Sequence, residues 1–480
     1  MYGSKYNACI VFIFIILSNS FQEVYACIMY QRFIIQRLKY CSKVKVRYEA
    51  LSLCESRNFY CGVVNNSTSG KKMKPKLNYE YLCDPQNLSH IEKLTLLRKG
   101  VGDIRKIIDL YNKMKSLPAD AQERELLEEE LEKEASLIPN DASPHLFEYG
   151  EEPRLIEFVN KKPEFDFEPK ELHEIGQKLD ILRTENLGLL NGSRSYFFRG
   201  ALADLEQALI RYTVSYLVKQ GFTLMSVPDL LYSSIIESCG MSTRGERTQV
   251  YRIEGLDDVC LSGTAEMAIG GYLRNRQYCL NDLPLKMAAV SRCYRAETSN
   301  LREERGIYRV HGFTKVEMFG VTASERGDES KDLYNEIIQI QRELFSKLGV
   351  HFQVLDMPLN DLGAPAYSKV DIEAWMPGRK AYGEISSASN CTDFQSRRLN
   401  ITYRNDHGEP KFVHTVNGTA CAIPRMLIAL CETFQSEDGT VTIPQILQPY
   451  ISGLESIKFY DHTPCRMTWI KRKTYTGKIV

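Results

Sequence analysis

The 480-residue chain has no excess charge of either sign, with 61 Lys and Arg against 61 Asp and Glu. Proteins that coat nucleic acid without sequence preference are usually basic, so any RNA contact here has to come from local patches. The 14 cysteines form no C-x-x-C pair and no Cys/His spacing that suits zinc. They read as reduced, mostly buried thiols of an intracellular protein. No G-x-G-x-x-G follows a strand-like run and no G-x-x-x-x-G-K-[ST] occurs, so neither a dinucleotide fold nor a P-loop is supported. The apolar run Ala8 to Leu17 is too short to span a bilayer. The remaining composition is that of a globular protein of two or three domains.

What is present begins with an ambiguous N-terminus. Ala8 to Leu17 has the size of a secretory h-region, whereas Met29 to Tyr48 carries Arg32, Arg37, Lys39, Lys43, Lys45 and Arg47 and no acidic residue. The second composition favours an organelle presequence, so residues 1–48 are expected to be a mitochondrial targeting region, with translation from Met1 or Met29. Residues 49–80, crowded with Asn, Ser, Gly and Lys, read as an unstructured linker. From about Leu88 a helical period sets in, with Ile104, Ile107, Ile108, Tyr111 and Met114 on one stripe. A second, acidic helix over about 121–136 carries Leu126, Leu127, Leu131 and Ala135. Pro118 ends the first helix and Pro139 stops the second, and 81–150 reads as a helical hairpin. Pro144, Pro153 and Pro163 then suggest an irregular linker over 151–191.

Residues 192–453 have a different texture. A helix over about 199–219 precedes a strand at about 222–227, and another helix runs over about 331–348. Strand-like runs follow at about 352–355, 370–376, 382–387 and 412–416, before a helix from about 420 to 434. Antiparallel strands with helices set around them predict an α+β domain. Residues 454–480 form a basic tail containing Lys458, Arg466, Lys471, Arg472 and Lys473.

Within this region Cys293-Tyr294-Arg295-Ala296-Glu297 and Tyr308 to Phe319 read as two strands joined by a loop rich in Arg and Glu. Alternation puts Val310, Thr314, Val316 and Met318 on one face, and Arg309, His311, Phe313, Lys315 and Glu317 on the other. Such a charged face suits a charged small molecule, although a solvated hairpin face would look the same.

Three further stretches, Gly263-Thr264-Ala265-Glu266, Gly383 to Cys391 and His414 to Arg425, stand in an order and spacing with this hairpin that resembles seryl-tRNA synthetase of the animal mitochondrial kind, a class II aminoacyl-tRNA synthetase. The likeness runs from about Leu82 to Gly453. It implies the class II antiparallel sheet flanked by helices, with a short N-terminal coiled-coil arm that grips tRNA. It also implies activation of L-serine with ATP and Mg²⁺, without zinc, and transfer to tRNA(Ser) in the mitochondrial matrix by a homodimer that does not enter a membrane.

By resemblance, Thr264, Ala265, Glu266, Glu317 and Thr419 bind serine. Arg295, Ala296, Glu297, Val310, His311, Gly312, Phe313, Glu384, Ile385, Ser386, Ser387 and Arg425 bind ATP. Arg295 and Arg425 are the catalytic cations, and Glu384 and Ser387 hold Mg²⁺. Chemistry agrees with these roles: charge builds on phosphorus oxygens, so a fixed guanidinium must sit beside them. A hydrogen-bonding pocket rejects a substrate lacking the hydroxyl. Glu384 and Ser387 fall on opposite faces of a regular strand, so the assignment requires a bulge or strand end between them. Without the resemblance, Thr264 and Thr419 read equally well as turn or cap residues and Arg425 as a solvated helix residue. Gly312 stands where relatives carry a larger polar residue. A catalytically silent relative acting as an RNA-binding or partner protein is the competing function; it would be marked by loss of Arg295, Glu297, Glu317 or Arg425, all of which are present.

Overall fold

The computed structural model describes residues 74–458, apart from residues 99, 101, 119–120, 186, 188–191, 193, 246–247 and 298–305. The expected targeting region, most of the 49–80 segment, the tail beyond residue 458 and most of the hairpin loop lie outside the described residues.

Eight strands form one sheet: β1 (Arg154–Val159), β2 (Thr223–Met225), β3 (Leu285–Tyr294), β4 (Gly312–Thr322), β5 (Phe352–Asp356), β6 (Ser368–Met376), β7 (Ala381–Thr392) and β8 (His414–Ala422). Their spatial order is β1-β5-β6-β7-β8-β4-β3-β2, antiparallel except for β2 beside β3. The helices that matter below are α1 (Leu88–Leu97), α2 (Ile104–Ser116), α3 (Gln122–Ser136), α4 (Leu172–Lys178), α5 (Ala201–Lys219), α6 (Ala265–Leu273), α7 (Glu329–Leu348), α8 (Phe394–Leu399) and α9 (Ile423–Thr433).

The period of two along each strand divides the sheet chemically. Val370, Ile372, Ala374 and Met376 of β6 pack with apolar residues of α5, α7 and α9 in the main core. The intervening Lys369, Asp371 and Glu373 look the other way, and the polar groups of the candidate site share their side of the sheet. A second core, around Ile269 and Leu273 of α6, Phe319 and Tyr403, closes that face towards one end. Among the described residues no helix is long and apolar enough to cross a membrane.

The structure corrects three readings. The stretch 151–191 is no linker: β1 pairs with β5 as the sheet edge, and Leu172, Ile175 and Leu179 of α4 enter the main core. Its prolines flank β1 and do not interrupt it, which is where an edge strand tolerates them. The first helical run is two helices, because Asp103 caps a new start by accepting from the backbone N–H groups of Arg105 and Lys106. Residues 420–422 continue β8, and the following helix begins at Ile423 with Pro424 in its first turn.

The arm is the antiparallel pair α2 and α3. Ile104, Ile107 and Leu110 bury against Leu131, Ala135 and Ile138, with Leu82 and Ile91 completing a small core.

Candidate active site

The hairpin β3–β4 is in register from Leu285↔Val321 to Tyr294↔Gly312. Beyond Tyr294 the chain leaves the sheet but stays clamped. The Arg295 N–H donates to the His311 carbonyl at 3.0 Å, and the N–H groups of Ala296 and Glu297 donate to Gln249 at 2.8 and 2.9 Å. Arg194 donates to the Glu297 carbonyl at 2.8 Å. Glu297 has φ +41°, a left-handed conformation that a non-glycine residue adopts only when its surroundings impose it. This conformation accompanies a carboxylate buried beside Arg309, 3.1 Å away. The Arg295 guanidinium lies 5.4 Å from the centre of the Phe313 ring, and its Nε is buried without a hydrogen-bond partner.

The bulge required between Glu384 and Ser387 is present. Glu384 opposes Glu373 and Ser386 opposes Ile372, leaving Ile385 as the extra residue, turned into the main core. Glu384, Ser386 and Ser387 therefore line one cleft with Arg295, Glu297, Phe313, Lys315, Thr419 and Arg425, among others. Arg425, in the first turn of α9, is not solvated: its side chain is 16% exposed and donates from Nη1 to Glu384 Oε2 at 3.1 Å and the Glu384 carbonyl at 2.9 Å. Its Nε donates to the Tyr308 carbonyl, and its guanidinium lies over the Tyr308 ring. Burial pushes the Glu384 carboxyl up, but Arg425, Lys369 and Arg295 outweigh it and hold the group well below the ordinary carboxylate range. Lys369 also binds Asp371 at 2.7 Å on the same face of the sheet.

Behind Lys315 and Thr419, which line the cleft, lies a carboxylate-rich cluster whose Glu317 and Glu266, like Thr264, are not among the cleft's lining residues. Glu317 and Lys315 are 3% and 8% exposed, so this hairpin face is an interior, not a solvated surface. Lys315 Nζ stands 2.5 Å from Glu317 Oε2 and donates to Thr419 Oγ1 at 3.2 Å; Thr419 Oγ1 donates to Glu317 Oε1 at 3.0 Å. Thr419 lies inside β8, so it caps no helix, whereas Thr264 does cap α6, accepting from the Glu266 N–H. Glu266 accepts from Gln395 and from Asn417, the latter at 2.8 Å. Burial pushes its carboxyl up to about 7; Gln395's hydrogen bond opposes this, the Glu317 charge adds to it, and the Lys315 and Arg295 charges oppose it.

Not every residue assigned from the sequence faces the cleft. His311 precedes the start of β4 and turns to the Tyr251 hydroxyl, 2.7 Å from its Nδ1. It lines a separate cavity of about 530 Å³ with Gly312, Tyr196, Arg292 and Tyr294. A Cβ on Gly312 would stand 3.2 Å from Arg292 Nη2, so a larger residue there meets Arg292 on the far side of the strand from the cleft. Val310 is buried in the main core but also reaches the cleft wall. Ile385 and Ala265 are core residues, and Ala296 contributes its backbone to the Gln249 clamp. Sequence reasoning gave no role to Asn417, Gln395, Lys369, Asp371 or Arg309. Lys315–Glu317 and Lys369–Asp371 were detectable as opposite charges two apart on a strand; Gln395, on α8, left no such signal.

The cleft thus has a cationic middle, with Arg295 and Arg425 near an aromatic ring, and a wall of hydroxyls, Ser386, Ser387 and Thr419, backed by the acidic cluster of Glu317 and Glu266. Such an arrangement suits a nucleotide triphosphate beside a small zwitterion. Among the described residues no three His, Cys, Asp or Glu side chains form a ready metal cage. Glu384 and Ser387 place two oxygens on one face, which fits Mg²⁺, an ion that takes one or two protein oxygens and completes its shell with phosphate and water.

A family model described as the tRNA synthetase class II core domain (G, H, P, S and T) matches residues 250–434. The chain is 49% identical over 342 residues to the serine--tRNA ligase, mitochondrial, of Mus musculus, covering 70% of this chain and 65% of that protein. It is 46% identical over 391 residues to the serine--tRNA ligase, mitochondrial, of Bos taurus, covering 81% and 72% respectively. The chain therefore spans just under two thirds of the mouse relative. The crystal structure of seryl-tRNA synthetase from Pyrococcus horikoshii complexed with ATP is similar with a TM-score of 0.73 and 27% identity, over 80% of this chain and 100% of that one.

Proposed function

The chain belongs to the seryl-tRNA synthetase family of class II aminoacyl-tRNA synthetases, and from that premise we propose that it joins L-serine to ATP as seryl-adenylate and passes serine to the 3′ end of mitochondrial tRNA(Ser). The serine carboxylate attacks the α-phosphorus of ATP, the bond to the β-phosphate oxygen breaks, and pyrophosphate leaves. Negative charge moves across the phosphorus oxygens, and Arg295 is placed to receive it. Glu297 accepts from the adenine amino group, and Phe313 stacks on the base. Arg425 reaches the γ-phosphate, exchanging part of its pairing with Glu384 for phosphate. Glu384 and Ser387 would hold Mg²⁺, which would supply neutralising charge to the leaving phosphates. Glu266 and Thr264 meet the serine ammonium, and Glu317 and Thr419 its hydroxyl. This step needs no side-chain nucleophile; positioning and fixed charge do the work.

One observation carries this reading: the buried, unpartnered Nε of Arg295 in a cleft that also holds Glu297, Glu384 and Arg425. A buried guanidinium left with an unmet donor is costly unless a ligand completes it. The mitochondrial relatives support a mitochondrial location, and the basic, acid-free stretch from Met29 to Tyr48 supports delivery to the matrix. The half-exposed Val218 of α5, Leu224 of β2 and the nearby Leu230 and Tyr232 support a homodimer through that surface. The α2–α3 arm supports contact with tRNA.

Serine-dependent ATP–pyrophosphate exchange tests the proposal. The wild-type chain is expected to exchange above a no-serine control, and Arg295→Ala to lose about 10²-fold or more in kcat, as removal of one charge-stabilising donor does elsewhere. Absence of exchange in the folded wild type would favour the silent, RNA-binding alternative.

A further inference from the structure

We propose that Lys315 is a specificity-determining residue, which sets the acidic cluster behind the cleft to recognise a hydroxyl-bearing side chain and leaves Glu266 as the carboxylate for the substrate ammonium. The inference rests on the function proposed above and deepens it.

The geometry is a closed triangle. Lys315 and Glu317, two apart on β4, share a face, and the neighbouring strand β8 places Thr419 opposite Glu317. A register shift follows at once, since Cys421 opposes Val316, so Ala420 is the extra residue and Thr419 stands at the bulge. Thr419 is fixed from behind as well: its carbonyl accepts from Gln341 Nε2 at 3.0 Å and from the Ser386 hydroxyl. The three side chains are thus held before any ligand arrives. The single hydroxyl of Thr419 donates to Glu317 and accepts from Lys315.

Two consequences follow from this pairing. First, Glu317 has its counter-ion within the protein. A buried carboxylate already paired with an ammonium gains little from a second cation, but retains lone pairs for a neutral donor. Glu266 differs, because its hydrogen-bond donors are the neutral amides of Gln395 and Asn417. The two acids therefore divide the substrate, the ammonium going to Glu266 and the hydroxyl proton to Glu317. Second, an ammonium has three N–H groups; Lys315 gives one to Thr419 and balances the charge of Glu317, whose buried Oε2 is left without a hydrogen-bond donor. Lys315 also lines the cleft, where a bound molecule can meet an N–H that Thr419 does not use. A ligand hydroxyl satisfies both unmet groups at once, by donating to Glu317 and accepting from Lys315. A methyl group in its place satisfies neither and leaves both desolvated.

The experiment compares L-serine with L-alanine in ATP–pyrophosphate exchange for wild type, Lys315→Met and Lys315→Arg. In Lys315→Met the ratio of kcat/KM for serine over alanine is expected to fall by about tenfold or more. The loss should fall on the KM for serine while the KM for ATP stays within twofold, and Lys315→Arg should recover part of the ratio. Should Lys315→Met not fold, the double variant Lys315→Met/Glu317→Gln, which removes both charges, is expected to show the same fall. An active wild type whose ratio is unchanged in the variant, with serine and alanine losing equally, overturns the assignment alone and gives Lys315 to the carboxylate or phosphate. A rise in the KM for ATP overturns it as well. A wild type without serine-dependent exchange overturns both the assignment and the function beneath it.

Discussion

Glu266 is the residue whose ionisation should be visible in the working protein. Around it stand Glu317 and Lys315 of β4, Arg295 beyond β3, the amides of Gln395 and Asn417, and the thiols of Cys239 and Cys391. Burial raises both thiols far above the working range, so they stay neutral. The Glu266 carboxyl is raised to about 7, so its contribution to the stability of the ligand-free protein is fully present below the unfolded value and is lost as pH rises through about 7. In the function proposed above, the serine ammonium would need the ionised form. Serine affinity should consequently rise with pH, by about tenfold per unit below 7 and levelling above it. The serine-induced gain in Tm should be larger at pH 8 than at pH 6, and Glu266→Gln should bind weakly at both. A gain that is flat with pH in the wild type would mean that Glu266 does not meet the ammonium. At this scale the sequence picked out Arg295, Glu297, Glu384, Ser387 and Arg425, which the fold brings to one cleft, but not Lys315 or Arg309, which line the same cleft. Other residues that it did not reveal act through a neighbour. Gln395 and Asn417 hold Glu266, and their amides carry no pattern that separates them from surface polar residues.

Among the elements, the β6–β7 ribbon shows what periodicity can and cannot reveal. The roles proposed for Glu384 and Ser387 demand an irregular strand, and Ile385 provides it by turning an apolar side chain into the core while both polar groups line the cleft. β1 was hidden because its side chains are mostly exposed and its neighbouring prolines mimic a loop. The turn that closes the β6–β7 ribbon is held by Glu432 of α9, which is buried and accepts from the N–H groups of Gly378 and Arg379 at 2.9 and 3.2 Å and of Leu172 at 3.0 Å. Glu432→Gln would set an amide donor against one side of that cluster. A loss of about 1–3 kcal/mol, read as a lower urea midpoint with unchanged m-value, is expected. Because the Arg379 guanidinium stands over the same Tyr308 ring as Arg425, loosening this turn should also raise the KM for ATP before it affects serine. An unchanged midpoint would show that other contacts hold the turn.

Over the whole molecule, the open question is what the arm does to a cleft it does not line. The arm itself is short, 13 residues in α2 and 15 in α3, or roughly 20 Å of helix at about 1.5 Å per residue. α3 carries seven glutamates, and Lys106 of α2 is tied to two of them, Glu130 and Glu134; Lys113 of α2 pairs at 2.7 Å with the exposed Asp109 of its own helix, a contact that solvent weakens, and Lys115 lies over the Tyr111 ring, so phosphate contacts should fall to these two. Its base is bound tightly to the body. Arg98, after α1, is buried and donates to the carbonyls of Asn140 and Gly363. The Asn140 amide nitrogen stands 2.9 Å from the carbonyl oxygens of Pro365 and Cys391 and from the Thr392 hydroxyl, its two hydrogens shared among the three. Cys391 and Thr392 lie at a second irregularity of β7, where Thr392 has φ +43°. From there Asn417 spans the Cys391 thiol at 3.6 Å and the Glu266 carboxylate at 2.8 Å. A continuous set of polar contacts thus joins the arm base to the serine end of the cleft. Asn140→Ala should raise the KM for serine in exchange by about two- to tenfold, the scale of a coupling of about 0.5–1.4 kcal/mol, with kcat and the KM for ATP little changed. A substitution at the distal arm, Lys113→Ala, should leave exchange alone and weaken only tRNA charging. Equal behaviour of the two variants in exchange would show that the contacts at Asn140 fasten the arm without reaching the pocket.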